Sequence, residues 1–190
     1  MKHGASLIVV IALAGAGKSS FDLIESNKLW DILDIQPGWD ILDLGCGTGT
    51  ATVDLKKKYP RSRVIGVDSA IGMLARVRRR AGLLRPVSRV CADLSALPFA
   101  NRTIDLLFCN LAIQWSPDPA GLFGEFRRVL NPGGMLLFST LGPATLQELR
   151  GDWAPGNGQR SPVLGDLMVV GDALVEAGFR EPVMDMEIIT

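Results

Sequence analysis

Five short, near-continuous apolar runs recur along the chain, at 39–44, 63–67, 88–92, 104–109 and 135–140. They do not alternate cleanly between apolar and polar. Strands of that kind are covered on both faces, which is the pattern of a parallel sheet. Helical stretches fall between them, over 50–59, 70–81 and 119–129. Pro60 ends the first, and Ser69 is placed to cap the second. A turn at 131–134 (Asn-Pro-Gly-Gly) precedes the fifth run. Beyond it the chain reads as a short helix at 144–150, a loop at 151–162, a helix at 165–177 stopped by Gly178, and a sixth strand at 183–189. Strands alternating with helices predict an α/β fold: an open, Rossmann-like, doubly wound sheet, mostly parallel.

The start of the chain fits this rhythm less well. Residues 7–14 are apolar and are followed by Gly15-Ala16-Gly17-Lys18-Ser19. Three readings compete. Ala12 in place of a first glycine, with Gly17-Lys18-Ser19 after it, meets a relaxed phosphate-loop pattern. Lys2 and His3 ahead of a short apolar core suggest a signal peptide. The plainest reading is an apolar segment that packs on the body of the domain. The run is too short for a helix to span a bilayer, which takes about 20 residues. Residues 21–35 have partly helical apolar spacing, and Gln36-Pro37-Gly38 turns the chain into the first of the five runs.

Open parallel sheets bind ligands beyond the carboxyl ends of their strands. The residues at those ends here are Gly45, Asp68, Asp93 and Asn110. The first belongs to the stretch Asp43-Leu44-Gly45-Cys46-Gly47-Thr48-Gly49, where glycines alternate with small residues. Glycine accepts positive φ and lets a ligand approach the main chain. Asp68 follows Gly49 by 19 residues, at the end of the next strand, where a carboxylate can accept both hydroxyls of a ribose. Asp93, between Ala92 and Leu94, is placed to accept from an adenine amino group, and Met73 to pack on the ring. A nicotinamide dinucleotide and S-adenosylmethionine both fit so far. The third glycine comes one residue earlier than a pyrophosphate loop needs, and Asp43 would repel phosphate. Both points favour a sulfonium nucleoside.

Composition narrows the chemistry. The 190 residues are enough for one domain with a sizeable core, and mean hydropathy is +0.24. Twenty basic and twenty acidic residues balance, so no global charge points to nucleic acid or an anionic membrane. Cys46, Cys91 and Cys109 lack paired spacing and read as free thiols in a reducing cytoplasm. His3 is the only histidine, which argues against His-assisted nucleophiles and His-based metal sites, and no metal is expected. Arg76, Arg78, Arg79, Arg80, Arg85 and Arg89, with Lys56-Lys57-Lys58, form a basic run. It reads first as a solvated helix face, with an acidic carrier protein or RNA as alternative partners.

At these residues the chain resembles the class I S-adenosylmethionine-dependent methyltransferases. The resemblance rests on 41–50, 64–68, 92–99 and 130–136, and it covers 39–140. The stretch Asn110-Leu111-Ala112-Ile113-Gln114-Trp115, with 137–149 and 178–187, is similar to the malonyl-acyl-carrier-protein O-methyltransferases of biotin biosynthesis. Methyltransferase-fold assembly factors of complex I and the trans-aconitate methyltransferases share parts of it. The resemblance implies S-adenosylmethionine as cofactor and methyl transfer to the free carboxylate of a malonyl thioester on acyl-carrier protein. It implies a cofactor site made of Asp43, Gly45, Cys46, Gly47, Thr48, Gly49, Asp68, Ser69, Met73, Ala92, Asp93, Leu94 and Asn110. Asn110, Gln114 and Trp115 are expected at the methyl-transfer site, with core packing the alternative for Trp115 and a surface position for Gln114. Arg150 and Arg160 are candidates for the acceptor carboxylate by location. A carboxylate is already nucleophilic, so alignment and desolvation suffice. Other readings are a different small-molecule carboxyl methyltransferase, a non-catalytic assembly factor, or a phosphate-loop protein.

Two departures from the family stand out. Residues 1–38 form an atypical N-terminal segment ahead of a core at 39–190. Class I sheets also carry a seventh, antiparallel strand, and here only six are expected, with the seventh missing and the core cut short at its C-terminal end.

Overall fold

The computed structural model describes residues 6–12, 35–82, 87–140 and 167–187. Among the described residues, seven strands form one sheet: β1 (Ser6–Ala12), β2 (Asp40–Leu44), β3 (Arg63–Asp68), β4 (Ser88–Cys91), β5 (Ile104–Asn110), β6 (Leu130–Ser139) and β7 (Arg180–Glu187). Their order is β4-β3-β2-β5-β6-β1-β7, and every pairing is parallel. Helices α1 (Thr50–Lys58), α2 (Ile71–Ala81), α3 (Pro119–Val129) and α4 (Leu167–Glu176) complete it.

The near-continuous apolar runs are explained by burial on both faces. Ile41, Leu106 and Phe108 pack with Leu55 of α1 on one side. Leu42, Leu107 and Cys109 pack with Phe123 and Phe126 of α3 and Leu174 of α4 on the other. Successive strand residues point to opposite faces, so one run serves two cores. β4 is one of the two edge strands, and its Ser88, Arg89 and Cys91 are exposed.

The Rossmann-like, doubly wound, parallel class holds, but the expected count of six strands does not. The seventh strand is β1, which lies between β6 and β7: Leu7 is registered with Leu136 on one side and Pro182 on the other. The segment read as packing on the domain body is thus hydrogen-bonded inside the sheet. Its β-branched run (Ile8-Val9-Val10-Ile11) suits a strand, and without it β6 would present a row of unpaired backbone groups. The glycine-lysine stretch at 15–19, most of the helix expected at 21–35, the elements expected at 144–162, and Arg85, Arg150 and Arg160 lie outside the described residues.

Two local expectations change. Helix α2 has Ala70 at its N-cap and no side-chain cap, so Ser69 does not cap it. Ser69 stands one residue too early, and Asp68 Oδ1 accepts the Ala70 N–H at 2.8 Å instead. The turn at 131–134 falls inside β6. Ile104 pairs with Leu130 and Leu106 with Met135, so two steps along β5 span five along β6. Asn131 donates its amide to Asp105 Oδ1 at 2.7 Å, and Asp105 Oδ2 accepts the Asp40 N–H at 2.8 Å. Asp105 thereby ties together the starts of β2, β5 and β6.

The chain runs outward from β2 through β3 to β4, and outward the other way from β5 to β6. The direction reverses between β2 and β5. The loops leaving those two strands therefore diverge and open a crevice between them.

Candidate functional site

A cavity of about 880 Å³ opens in that crevice. Of the residues picked from sequence, Gly45, Asp68, Ser69, Asp93, Leu94 and Trp115 line it. They come from the loops after β2, β3, β4 and β5, so four strand ends converge on one space.

The glycine loop is built by three left-handed residues, Gly45, Gly47 and Gly49, at φ 67°, 52° and 81°. Cys46 N–H reaches the Val67 carbonyl at 3.0 Å, and Gly49 N–H closes on the Cys46 carbonyl at 2.9 Å. Helix α1 starts directly after Gly49. Asp68 organises this corner. Its Oδ2 accepts the Gly47 N–H at 2.8 Å and its Oδ1 accepts that of Ala70. One carboxylate thus holds the loop after β2 and the start of α2 while facing the cavity.

The remaining predicted residues do not line the cavity. Asp43 is 2% exposed beneath the loop and accepts a hydrogen bond from the Thr52 hydroxyl at 2.5 Å. Cys46 is buried, Thr48 and Met73 are half-buried, and Ala92 is half-buried with its N–H on the Asp68 carbonyl at 3.2 Å. Asn110 is half-buried and its Oδ1 accepts from the Ser139 hydroxyl at 2.6 Å. Gln114 is no surface amide: it is 2% exposed, donates Nε2 to the Leu111 carbonyl at 2.8 Å, and leaves Oε1 buried without a partner. Trp115 is not core packing, for it stands 48% exposed at the cavity edge.

Of the wall formed by 111–122 the sequence reading picked only Trp115, and it missed Leu111, Ala112, Ser116, Asp118 and Leu122 as lining residues. Leu111 adopts φ 51°, and its N–H is held by the Ser139 carbonyl and hydroxyl, both at 3.1 Å. A tertiary contact holds that turn, so no local pattern announces it. Asp118 carried a legible signal: acid followed by Pro119 marks a helix start, and Asp118 Oδ1 accepts the Gly121 N–H at 3.0 Å.

The electrostatics are one-signed. Asp68, Asp93 and Asp118 line the cavity, and no Lys, Arg or His does so among the described residues. The basic run is elsewhere. Arg76, Arg78, Arg79 and Arg80 are exposed on the far half of α2, whose 11 residues extend about 16 Å from the end that Ser69 borders. Lys56, Lys57 and Lys58 end α1 in the same way. These charges complement helix C-termini, as expected of a solvated face. Burial pushes the Cys46 and Cys109 thiols well up, with the charge of Asp43 adding to both, so neither is a ready nucleophile.

Burial also raises Asp43 to about 7, against hydrogen bonds from Thr52 that lower it, while the Asp68 charge adds a little. Burial therefore favours the neutral form of this group, against the full charge a sequence reading assigns it. Its folded value lies above the unfolded 3.8, so folding takes up a proton between the two. The stability this supplies is complete below the unfolded value and is lost as pH rises through the folded one. Denaturant melts from about pH 4 to about pH 8 should show stability falling in the native chain by a few kcal/mol. In Asp43→Asn that slope should disappear; equal slopes would assign the titration to another group.

Among the described residues no helix is long and apolar enough to cross a membrane. Residues 41–134 match a family model described as a methyltransferase domain. The chain is 48% identical over 148 residues to a malonyl-[acyl-carrier protein] O-methyltransferase of Halorhodospira halophila, covering 77% of this chain and 50% of that protein. It is 45% identical over 150 residues to the protein of that name from Methylovorus, covering 75% and 51%. The chain thus spans about half the length of the curated relatives it matches. Among solved structures it is similar to Haemonchus contortus phosphoethanolamine N-methyltransferase 2 in complex with S-adenosyl-L-methionine, at 26% identity and a TM-score of 0.68, over 79% of this chain and 35% of that one. The glycine loop, the acid closing β3 and the cavity at the reversal of strand order all fall within 41–134, and by that match this segment belongs to the methyltransferase domain family, on the class I methyltransferase fold.

Proposed function

We propose that the cavity binds S-adenosylmethionine and that the chain methylates the free carboxylate of malonyl-acyl-carrier protein. The observation that carries the cofactor assignment is the one-signed wall. Three carboxylates and no described cation face the cavity, which disfavours a pyrophosphate and favours a sulfonium with an amino group. The open glycine loop agrees, since a Cβ on Gly47 would meet nothing within 4 Å. Asp68 would hold the ribose hydroxyls, Asp93 the adenine amino group, and the Gly45–Gly49 backbone the amino-acid end.

When bound, S-adenosylmethionine supplies a methyl group activated by its positive sulfur. The chain's own residues align and dry the reaction. Trp115, Leu111 and Leu122 supply the apolar part of the wall that also carries Asp118, and an acceptor seated against them loses water from its oxygen. No base is needed for a carboxylate acceptor. Asn110 and Gln114 belong to this reading as supports, Asn110 through Ser139 and Gln114 through Leu111. The acceptor assignment is supported by the relatives of that name at 45–48% identity. A soluble cytoplasmic enzyme of biotin-precursor synthesis is the setting that follows.

The same wall favours one rival. An anionic acceptor finds no counter-charge among the described lining residues, as would suit a domain that keeps the cofactor for contact with a partner and does not turn over. Calorimetry with S-adenosylhomocysteine followed by a methyl-transfer assay on malonyl-acyl-carrier protein separates them. Binding with turnover supports the enzyme, binding without turnover supports the rival, and no binding ends both. Within the enzyme reading, Trp115→Ala should raise the KM for the acceptor about tenfold and leave S-adenosylhomocysteine affinity within about twofold. An equal loss in both would place Trp115 against the nucleoside instead.

A further inference from the structure

Helix α3 touches the cavity at one end and grips a second cavity wall with the other. Asp118 and Leu122, in its first turns, line the cavity. Glu125 and Arg128, further along, reach the segment 97–101 that follows the Asp93-Leu94-Ser95 wall. Glu125 Oε1 accepts the Leu97 N–H at 2.6 Å. Arg128 spends five donor hydrogens there. Its Nε donates to Glu125 Oε2 at 2.7 Å. Its Nη1 donates to the Phe99 carbonyl at 2.8 Å and to Asn101 Oδ1 at 2.7 Å. Its Nη2 donates to the Leu97 carbonyl at 2.9 Å and to Glu125 Oε1 at 2.7 Å. A guanidinium has five N–H donors in a rigid fork, so this one is saturated.

The loop these bonds hold also rests Leu94, Leu97 and Phe99 on the core, and its start is tied by the Ala92 N–H to the Asp68 carbonyl at 3.2 Å. Between β4 and β5 it has no regular structure, and Leu97 alone of residues 92–100 is buried. Asp93 at its start is exposed and accepts both the Ser95 N–H at 2.9 Å and the Ser95 hydroxyl at 2.8 Å. The Ala96 N–H donates to the Asp93 carbonyl at 3.2 Å, so 93–95 is linked to the start of the anchored segment 97–101. Neither Glu125 nor Arg128 lines the cavity.

We propose that Arg128, braced by Glu125, is a positioning residue for the adenine-side wall, acting through the 97–101 segment on Asp93 and Ser95. This rests on the reading of the cavity as a nucleoside site. Glu125 is held below its ordinary value by the hydrogen bond from Arg128, as a stable ion pair requires. Lysine cannot replace the arginine, because three donors on one nitrogen cannot reach acceptors spread over Leu97, Phe99, Asn101 and Glu125.

The test is calorimetry with two ligands, S-adenosylhomocysteine and its inosine analogue, in which an oxygen replaces the adenine amino group. The native chain should prefer the first about tenfold. In Arg128→Lys that preference should fall to within about twofold, while affinity for the inosine analogue stays within about twofold of native. A preference kept at its native value, or both affinities reduced in proportion, overturns the proposal and leaves Arg128 as a stability residue only. If Arg128→Lys does not fold, Glu125→Gln is measured under the same criterion. Failure of the native chain to bind S-adenosylhomocysteine at all overturns the nucleoside reading, and with it this one. Native binding with an unaltered preference in the variants overturns the positioning role alone.

Discussion

Asp68→Ala should weaken S-adenosylhomocysteine binding about a hundredfold, measured by calorimetry. The size follows from how much converges on one carboxylate. Asp68 faces the cavity, and it also accepts the Gly47 and Ala70 N–H groups, each at 2.8 Å. A lost charge-assisted hydrogen bond to a ligand costs about 1.5–3 kcal/mol, and about 2.7 kcal/mol corresponds to a hundredfold. Alanine also leaves two backbone donors without their acceptor and loosens the loop that must receive the ligand. Asp68→Asn keeps one acceptor oxygen, so its loss should be nearer tenfold. Native affinity in Asp68→Ala would remove this cavity as the nucleoside site.

Gly45→Ala should destabilise the chain by about 2–5 kcal/mol. Two costs add. Gly45 has φ 67°, and a left-handed backbone costs an L-residue about 1–2 kcal/mol. A Cβ there would also collide with the Cβ of Ala112 in the loop after β5. Overpacking of that kind costs about 1–3 kcal/mol. The second cost should be recoverable. Gly45→Ala combined with Ala112→Gly should regain a large part of the lost stability, with the backbone cost remaining, in chemical denaturation of all three variants. A double variant no more stable than Gly45→Ala would show that the two loops do not meet as described. The pair is informative because it joins the two sides of the crevice, one loop from each direction of the sheet.

What could be read in advance divides along the range of the interactions involved. The glycine loop was legible because its geometry is local: three left-handed residues in five positions leave a pattern in the sequence. Asp68 was legible because a strand of known length must end somewhere, and an acid at its end has nowhere to go but the crevice. Asp93 was found by the same rule, whereas Leu94 and Trp115 came from the resemblance of 92–99 and 110–115. Asp43 was found but misjudged. Its place before the glycines implied a charge facing the ligand, whereas the alternation of the strand turns it into the interior against Thr52, where burial moves it to about 7. Gln114 was also misplaced, because the three-residue turn at Ile113–Trp115 sends adjacent side chains in opposite senses, Gln114 inward and Trp115 out.

The strand count shows the same division on a larger scale. Six strands followed from runs that alternate with helices. The seventh, Ser6–Ala12, is separated from both its partners by more than a hundred residues, and nothing near it in sequence says which two strands it will lie between. The saturated guanidinium of Arg128 is equally silent in the sequence, where Glu125 and Arg128 read as an ordinary helix pair.

The sequence by itself determined the alternation of strands and helices from β2 to β6, the parallel sense of the sheet, the glycine loop and two of the acids at the cavity, Asp68 and Asp93. These follow from propensity, hydrophobic period and turn stereochemistry, all of which act over a few residues. Tertiary structure alone decided that β1 fills the gap between β6 and β7, that Ala112 abuts Gly45, that Asp43 lies inside and that Arg128 anchors the wall beyond Asp93. Each of those depends on surfaces brought together from distant parts of the chain, where burial and hydrogen-bond geometry choose among partners that local pattern leaves equivalent.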